Sequence, residues 1–231
     1  MTPIVPFILG CCLGSFFCLI AERMPKGESI LLPASHCPYC SHRLAFYELI
    51  PLLSIMTQKF QCRACSAQLP IIYFISELVS GLLTIFCFTQ GFHLTSLYSF
   101  LFLSMGLLLS LTDSFYLIVE PKILYFFFSV LLLWHLWFSL PIHLWSCLAI
   151  TGFLYALNCL HPHSIGGGDI LLLACWSLLL GWESILLLLF AASTSALFYS
   201  LLQWCCFRSR VQKLPFVPFL TIGLFIVFLF R

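Results

Sequence analysis

Charge is what this sequence has least of. Only 8% of its 231 residues are Asp, Glu, Lys or Arg, against about 25% in an ordinary soluble domain. A water-facing globule needs charged surface, and 62% of these residues are hydrophobic. A single soluble domain is excluded, as are disorder, coiled coil and collagen. The formal net charge of +2 is too small to hold nucleic acid, so no such partner is expected. Also missing are a phosphate-binding glycine loop with its lysine, a Gly-x-Ser-x-Gly elbow and a His-Glu-x-x-His pair. What remains is a chain built for the lipid bilayer.

Apolar runs are present in number. They cover 4–20, 71–89, 94–111, 122–138, 142–160, 170–180, 184–204 and 214–230. They predict an all-α polytopic membrane protein of about eight transmembrane helices. The run 170–180 is short for a crossing and is expected to be tilted, kinked or partly re-entrant. The first run lacks a basic n-region and a small-x-small cleavage site, so it reads as a retained span. The organisation expected is a first helix in 1–21, a polar segment in 22–70 and a membrane domain in 71–231.

Lys and Arg orient the chain, because cytoplasmic loops carry them in excess. Arg23, Lys26, Arg43, Lys59, Arg63, Lys122, Arg208, Arg210 and Lys213 all fall in alternate loops or at their edges, and Arg231 is last. The opposite loops, 90–93, 139–141 and 181–183, hold neither. Both ends are therefore expected outside and 22–70 in the cytoplasm, in a multi-pass protein of the cell membrane.

Nine of the thirteen cysteines (Cys11, Cys12, Cys18, Cys87, Cys147, Cys159, Cys175, Cys205 and Cys206) lie in or beside apolar runs and read as small hydrophobes. The other four form Cys37-Pro38-Tyr39-Cys40 and Cys62-Arg63-Ala64-Cys65, with 21 residues between the pairs. Two such knuckles predict a zinc ion held by four thiolates about 2.3 Å away. A reducing cytoplasm argues against disulfides there. A site closed by four ligands staples a fold and has no open position for chemistry, so His36 and His42 beside the first knuckle are not needed as ligands. Between the knuckles, 44–54 is apolar and aromatic and predicts a short helix in the membrane interface.

Carboxylates in lipid are costly and tend to be functional. Glu22, Glu28 and Glu183 fall in polar segments or loops. Glu48 on the interfacial stretch and Glu77 inside the second run are candidate functional acids. Asp113 ends the third run, and Asp169 begins the sixth, after Gly166, Gly167 and Gly168. Both belong to cytoplasmic ends of their runs, so they share a depth. Two carboxylates at one depth can share a proton, one serving as base on a water and the other as acid toward a carbonyl. The glycines would allow a tight turn and close approach of a substrate backbone. The plainer alternatives are a helix N-cap for Asp169 and a helix end at a water boundary for Asp113. The helix dipole suggests that Asp169 carries the charge and Asp113 the proton. A proton- or ion-coupled transporter using Asp113, Asp169 and Glu77, or a non-catalytic scaffold docking through the zinc segment, would use the same residues. His161 and His163, two apart in a loop, read as solvent-facing.

Taken together, these motifs resemble the type IV prepilin peptidases, which are GxGD aspartic membrane proteases. The resemblance rests on Gly14-Ser15-Phe16, on Arg23 and Pro25, on the two knuckles, on 46–54 and on 73–77. It continues with Asp113, Ile118 to Pro121, and Gly166-Gly167-Gly168-Asp169. It departs from the family at Leu171, where a lysine is usual, and at Pro121, displaced by one position. The stretch Tyr47-Glu48-Leu49-Ile50-Pro51 is similar to the competence-type enzymes of Gram-positive bacteria. The resemblance implies an enzyme that cuts the basic leader from prepilins or pseudopilins after a glycine, on the cytoplasmic side, with Asp113 and Asp169 catalytic. It also implies possible methylation of the new amino terminus with S-adenosylmethionine.

The orientation has a direct test. A single cysteine at Ser139, in a background cleared of other reactive thiols, is expected to react with an impermeant maleimide outside the cell. One at Ser66 is expected to be protected until the membrane is opened.

Overall fold

The computed structural model describes residues 3–89, 91–161, 165–207 and 214–230. His163, Arg208, Arg210, Lys213 and Arg231, on which part of the sequence reading falls, lie outside the described residues. The described chain is helical apart from two isolated bridges, His36 with Arg43 and Gln61 with Gln68. A helix occupies each of the eight apolar runs. Four are long and apolar enough to cross a membrane, and four are shorter. The chain divides into two compact units, Met1–Phe100 and Leu101–Arg231.

In the first unit, α1 (Ile4–Arg23) packs on α3 (Ile71–Phe88) through small residues. Gly10 and Gly14 on α1 face Ser76, Ser80, Gly81 and Thr84 on α3. A Cβ on Gly14 would stand 2.5 Å from the Ser76 carbonyl oxygen, so the backbones touch where a side chain would intervene. Such contact suits lipid, where burying apolar surface between helices gains little and close packing supplies the attraction. The hydroxyls on this face bond within it. Ser76 donates to the Tyr73 carbonyl at 2.8 Å and to Cys18 Sγ at 3.4 Å. Thr84 donates to the Ser80 carbonyl at 2.8 Å. After α1 a short 3-10 turn, Met24–Lys26, ends at Gly27, whose φ of 72° is the left-handed stop.

The stretch 44–54 forms two short pieces where one interfacial helix was expected. A 3-10 turn, Phe46–Leu49, and α2 (Leu53–Thr57) are separated by Ile50, Pro51 and Leu52. Proline cannot donate its missing N–H and forces the residue before it out of the helical region, and Ile50 is extended accordingly. Phe46 projects almost fully outward, as an interfacial anchor would.

The second unit surrounds α7 (Gly167–Leu180) with α5 (Pro121–Trp137), α6 (Leu144–Leu160) and α8 (Trp182–Phe207). Leu172, Leu173, Trp176 and Leu179 of α7 are fully buried. The Trp176 ring meets Phe102 of α4 (Leu94–Tyr116) at 5.9 Å between centroids. On its other side α4 meets α9 (Val217–Leu229), with Phe102 against Phe228 and Ser110 hydrogen-bonded to Thr221. The His143 N–H donates to the Leu178 carbonyl at 2.9 Å, pinning the start of α6 to the end of α7. At about 1.5 Å per residue, the 14 residues of α7 span about 21 Å, short of a hydrocarbon core of about 30 Å. The helix carries no internal kink-forming residue. It is simply short.

Of the nine apolar-run cysteines, Cys11, Cys18, Cys87 and Cys175 are buried, while Cys12, Cys159, Cys205 and Cys206 lie on outward faces. Outward faces are also where Leu133, Trp137, Trp145 and Phe190 sit, each well exposed to what would be lipid.

Gly14→Ala is expected to lower the thermal unfolding midpoint of the detergent-solubilised protein, by overpacking worth about 1–3 kcal/mol. Gly152→Ala, at a helical position with open space around it, is expected to leave the midpoint unchanged or raise it. Circular dichroism on heating compares the two.

Candidate functional site

The first candidate centre is made of the two knuckles. In each, a Cys-x-x-Cys-Ser loop closes on itself in the same way. Ser41 N–H donates to the Cys37 carbonyl at 3.0 Å and Cys37 N–H to the His42 carbonyl at 2.9 Å. Ser66 N–H donates to the Cys62 carbonyl at 2.8 Å and Cys62 N–H to the Ala67 carbonyl at 2.9 Å. Ser41 and Ser66 both take a left-handed φ, 56° and 58°. The loops therefore present equivalent pairs of thiols. The four Sγ atoms lie within 4.8 Å of one another, with Cys37 to Cys65 and Cys40 to Cys62 each at 3.9 Å. A tetrahedron with metal–sulfur bonds of about 2.3 Å has edges of about 3.8 Å, so the residues present fit such an ion. None of the four is in a disulfide. Backbone N–H groups of Cys65 and Ala64 point at Cys62 and pull its thiol down to about 6. Four thiolates this close repel one another, and a divalent cation relieves that repulsion.

Glu48 and Glu77 are both more than nine-tenths buried. Glu48 reaches back within its own turn to accept the Ala45 N–H at 2.7 Å. Glu77 on α3 accepts the Leu52 N–H at 2.7 Å and a hydrogen bond from the Ser15 hydroxyl. It thereby ties the segment between the knuckles to both α1 and α3. Arg23, also buried, donates to the carbonyls of Ser29 at 3.1 Å and Pro33 at 2.8 Å, fixing the approach to the first knuckle.

The second centre lies in the other unit. Asp113 does not end α4. The helix continues one turn to Tyr116 and stops at Leu117, whose φ is 56° and whose N–H returns to the Asp113 carbonyl at 2.8 Å. The hydroxyl of Ser114 is satisfied within the helix by the Ser110 carbonyl at 2.8 Å. The buried Asp113 carboxylate accepts the Val217 N–H at 2.9 Å, and the Phe216 N–H is also directed at it. These are free donors at the start of α9, so Asp113 caps a helix 104 positions along the chain. The dipole contrast drawn from the sequence between Asp113 and Asp169 loses its basis, since each aspartate now meets the positive end of a helix.

Asp169 is the third residue of α7 and is half-buried. The N-cap is Gly166, not Asp169, and neither aspartate matches its plainer alternative. None of the three glycines has a positive φ, so they are not used for a tight turn. Their use is room. A Cβ on Gly168 would stand 2.9 Å from the Val119 side chain, and one on Gly166 would stand 3.2 Å from Asp169 Oδ2. Glycine thus lets the start of α7 close on the segment that follows Asp113, while the carboxylate of Asp169 lies over an exposed backbone. The charge of Asp113 is near enough to act on Asp169. Such a pair can hold a water between a base and an acid.

Glu120 escaped the sequence reading. It is buried, is the N-cap of α5 and adjoins the Val119 that Gly168 packs against. An acid immediately before a proline at a helix start was the signal available. His161 is exposed at the end of α6 and makes no side-chain bond to either aspartate.

Known proteins resemble the chain along nearly all its length. Residues 8–91 match the Bacterial Peptidase A24 N-terminal domain, and residues 100–201 match the Type IV leader peptidase family. A protein of Bacillus subtilis (strain 168), named prepilin leader peptidase/N-methyltransferase, is 30% identical over 97% of this chain and 92% of its own length. A protein of the same name from Dichelobacter nodosus is 26% identical, over 91% of this chain and 76% of its own. One from Myxococcus xanthus (strain DK1622) reaches 44% over 81 residues, 35% of this chain and 24% of its own. No solved structure gives a significant match.

Metal analysis of the purified protein is expected to return about one divalent ion per chain at neutral pH. Changing any of Cys37, Cys40, Cys62 or Cys65 to Ser removes it. Because thiolates are the ligands, protons compete with the ion for sulfur and displace it as pH falls into the acid range. Loss of the ion on mild alkalinisation instead would contradict this site.

Proposed function

The chain belongs to the prepilin leader peptidase/N-methyltransferase family, and from that premise we propose that Asp113 and Asp169 are the carboxylates that cut the leader from a prepilin or pseudopilin. The family makes the protein a prepilin-processing protease. The observation that carries the assignment of the pair is its geometry: Asp113 fixed by two backbone donors at the start of α9, and Asp169 brought to it by the close approach of Gly168 to Val119.

The chemistry follows from two carboxyl groups sharing one proton. The ionised carboxylate takes a proton from a water, whose oxygen bonds to the carbonyl carbon of the leader's last residue. The protonated partner gives its proton to the carbonyl oxygen. The tetrahedral intermediate then collapses, the C–N bond breaks and the amine leaves with a proton from the pair. A hydroxyl of the intermediate returns its proton to the pair as the new carboxyl forms, so one water is consumed, one acid and one amine are released, and the pair again holds a single proton. No covalent enzyme intermediate is required. Asp113, already bonded through one oxygen to the backbone, is the better positioned and less mobile member. Asp169, above exposed glycine backbone, is the member a substrate meets first.

The remaining assignments rest on this reading. Eight crossings with both ends outside put the Asp113 end of α4 and the Asp169 end of α7 on the cytoplasmic side of a bacterial cell membrane. The ion at Cys37, Cys40, Cys62 and Cys65 is zinc in a structural role, because all four positions of a tetrahedron are taken by thiolates. The newly freed amine is methylated, and S-adenosylmethionine, when bound, supplies an electrophilic methyl group on a sulfonium. A transporter or scaffold has no use for a paired acid with fixed donors beside a protease family match.

Asp113→Asn and Asp169→Asn are each expected to reduce leader cleavage by about 10²–10⁴-fold while the protein still inserts in membranes and keeps its metal. Single-turnover cleavage of a prepilin by reconstituted protein measures this. In the parent the rate follows a bell in pH, because one carboxyl must be ionised and the other protonated. A variant cleaving at the parent rate would return the two residues to a proton-relay role.

A further inference from the structure

In the second unit, α4 and α9 meet in a regular order. Phe102 meets Phe228 with ring centroids 5.6 Å apart, Gly106 and Ser110 meet Thr221, and Asp113 accepts the Val217 N–H at 2.9 Å. Each step along α4 toward its end is matched by a step back along α9 toward its start, so the helices are antiparallel along one seam. Gly106, Ser110 and Asp113 are spaced by four and then three residues and share one face of α4. Val217 and Thr221, four apart, share one face of α9.

The start of α9 has few N–H groups to offer. Pro218 has none, and those of Phe219 and Leu220 return to the Phe216 carbonyl at 3.0 and 3.2 Å. The N–H groups of Phe216 and Val217 remain, and both are directed at Asp113. How squarely they meet the carboxylate depends on how far along α4 the start of α9 sits.

That height is set one turn further into α9. The methyl carbon of Thr221 occupies the space that a Cβ on Gly106 would need, so α4 has a notch there and α9 a knob. The Thr221 hydroxyl is hydrogen-bonded to Ser110 and also reaches the carbonyls of Val217 at 2.7 Å and Pro218 at 3.1 Å. Ser110 in turn donates to the Gly106 carbonyl at 2.8 Å. A knob in a notch resists sliding in either direction, and the hydroxyl contact adds a directional bond to it.

Resting on the reading that Asp113 is one of the two carboxylates that cut the leader, we propose that Thr221 is a positioning residue for Asp113. Its methyl in the Gly106 notch and its hydroxyl on Ser110 lock the height of α9 against α4. That height keeps two backbone donors on one carboxylate. Thr221 takes no part in the bond changes. It acts through Asp113, which with those donors displaced is free to turn out of line with Asp169.

The test uses the full-length chain in lipid nanodiscs, with its metal. Single-turnover cleavage of a prepilin over a range of enzyme concentrations separates the saturating rate from the half-saturating concentration. Infrared spectroscopy follows the carboxyl band of Asp113, identified as the band lost in Asp113→Asn. Circular dichroism gives the thermal midpoint. Thr221→Val keeps the methyl and loses the hydroxyl, while Thr221→Ser does the reverse, and both changes are small enough for the chain to fold. Each is expected to lower the saturating rate about 10-fold, as a small misplacement of a reacting group does, with the half-saturating concentration unchanged. Each is also expected to move the Asp113 band toward weaker hydrogen bonding. Gly106→Ala, which drives its new methyl against that of Thr221, is expected to cost about 10- to 100-fold. Combining Gly106→Ala with Thr221→Ser leaves one methyl in the notch and is expected to return the rate to within about 3-fold of the parent, the coupling that two touching residues show. Thr194→Val on α8, whose hydroxyl bonds to carbonyls of its own helix, is the control and is expected to match the parent.

A rate that falls only in step with the thermal midpoint, or only through a higher half-saturating concentration, with the Asp113 band unmoved, overturns the positioning role. A double variant as slow as Gly106→Ala overturns it as well. Should Gly106→Ala fail to fold, the Val and Ser variants decide. Parental cleavage by Asp113→Asn removes the reading of the pair and the positioning role with it. The expected loss in Asp113→Asn, beside unmoved bands in the Thr221 variants, removes the positioning role alone.

Discussion

A carboxylate that leaves water has to find hydrogen-bond donors inside the protein, and this chain supplies them from its backbone. Asp113 takes the N–H of Val217, Glu77 that of Leu52, and Glu48 that of Ala45. With ten Lys and Arg in 231 residues, ion pairs cannot do this everywhere. Helix starts and turns leave N–H groups without internal partners, and an acid placed against them satisfies donor and acceptor together. Asp113 and Glu77 therefore act as fasteners between segments far apart in sequence. Each fastening positions something: the start of α9 at Asp113, and the inter-knuckle segment against α3 at Glu77.

Close backbone approach is the second device, used in both units. Gly10 and Gly14 let α1 lie on α3, and Gly168 lets the start of α7 lie on Val119. In lipid this is the effective way to attach one helix to another. It makes the aspartate pair a consequence of packing, because Asp169 reaches Asp113 only as far as its neighbouring glycine is bare.

The helices were legible in the sequence because apolar runs of these lengths permit little else. Their ends were less so. Hydropathy stops at Leu111, yet α4 runs on through Thr112, Asp113 and Ser114, whose polar side chains find partners locally or on α9. Glycine reads as loop, yet Gly167 and Gly168 are the first turn of α7. The knuckles were legible from spacing alone, since a Cys-x-x-Cys loop is a local structure. The cap that Asp113 forms on α9 was not, because nothing in the residues near position 113 points to a helix beginning at position 217.

The left-handed serines of the knuckles carry one more consequence. Because Ser41 and Ser66 close each loop by local hydrogen bonds, each pair of thiols is shaped within a few residues of chain. Joining them costs mainly the entropy of closing the 21 residues between, and that cost grows only logarithmically with length, by about 0.6 kcal/mol per doubling. The connecting segment is therefore not what shapes the ion's site: its buried Glu48 and its Leu52, held by Glu77, answer to the helices it packs on rather than to the thiols at its ends.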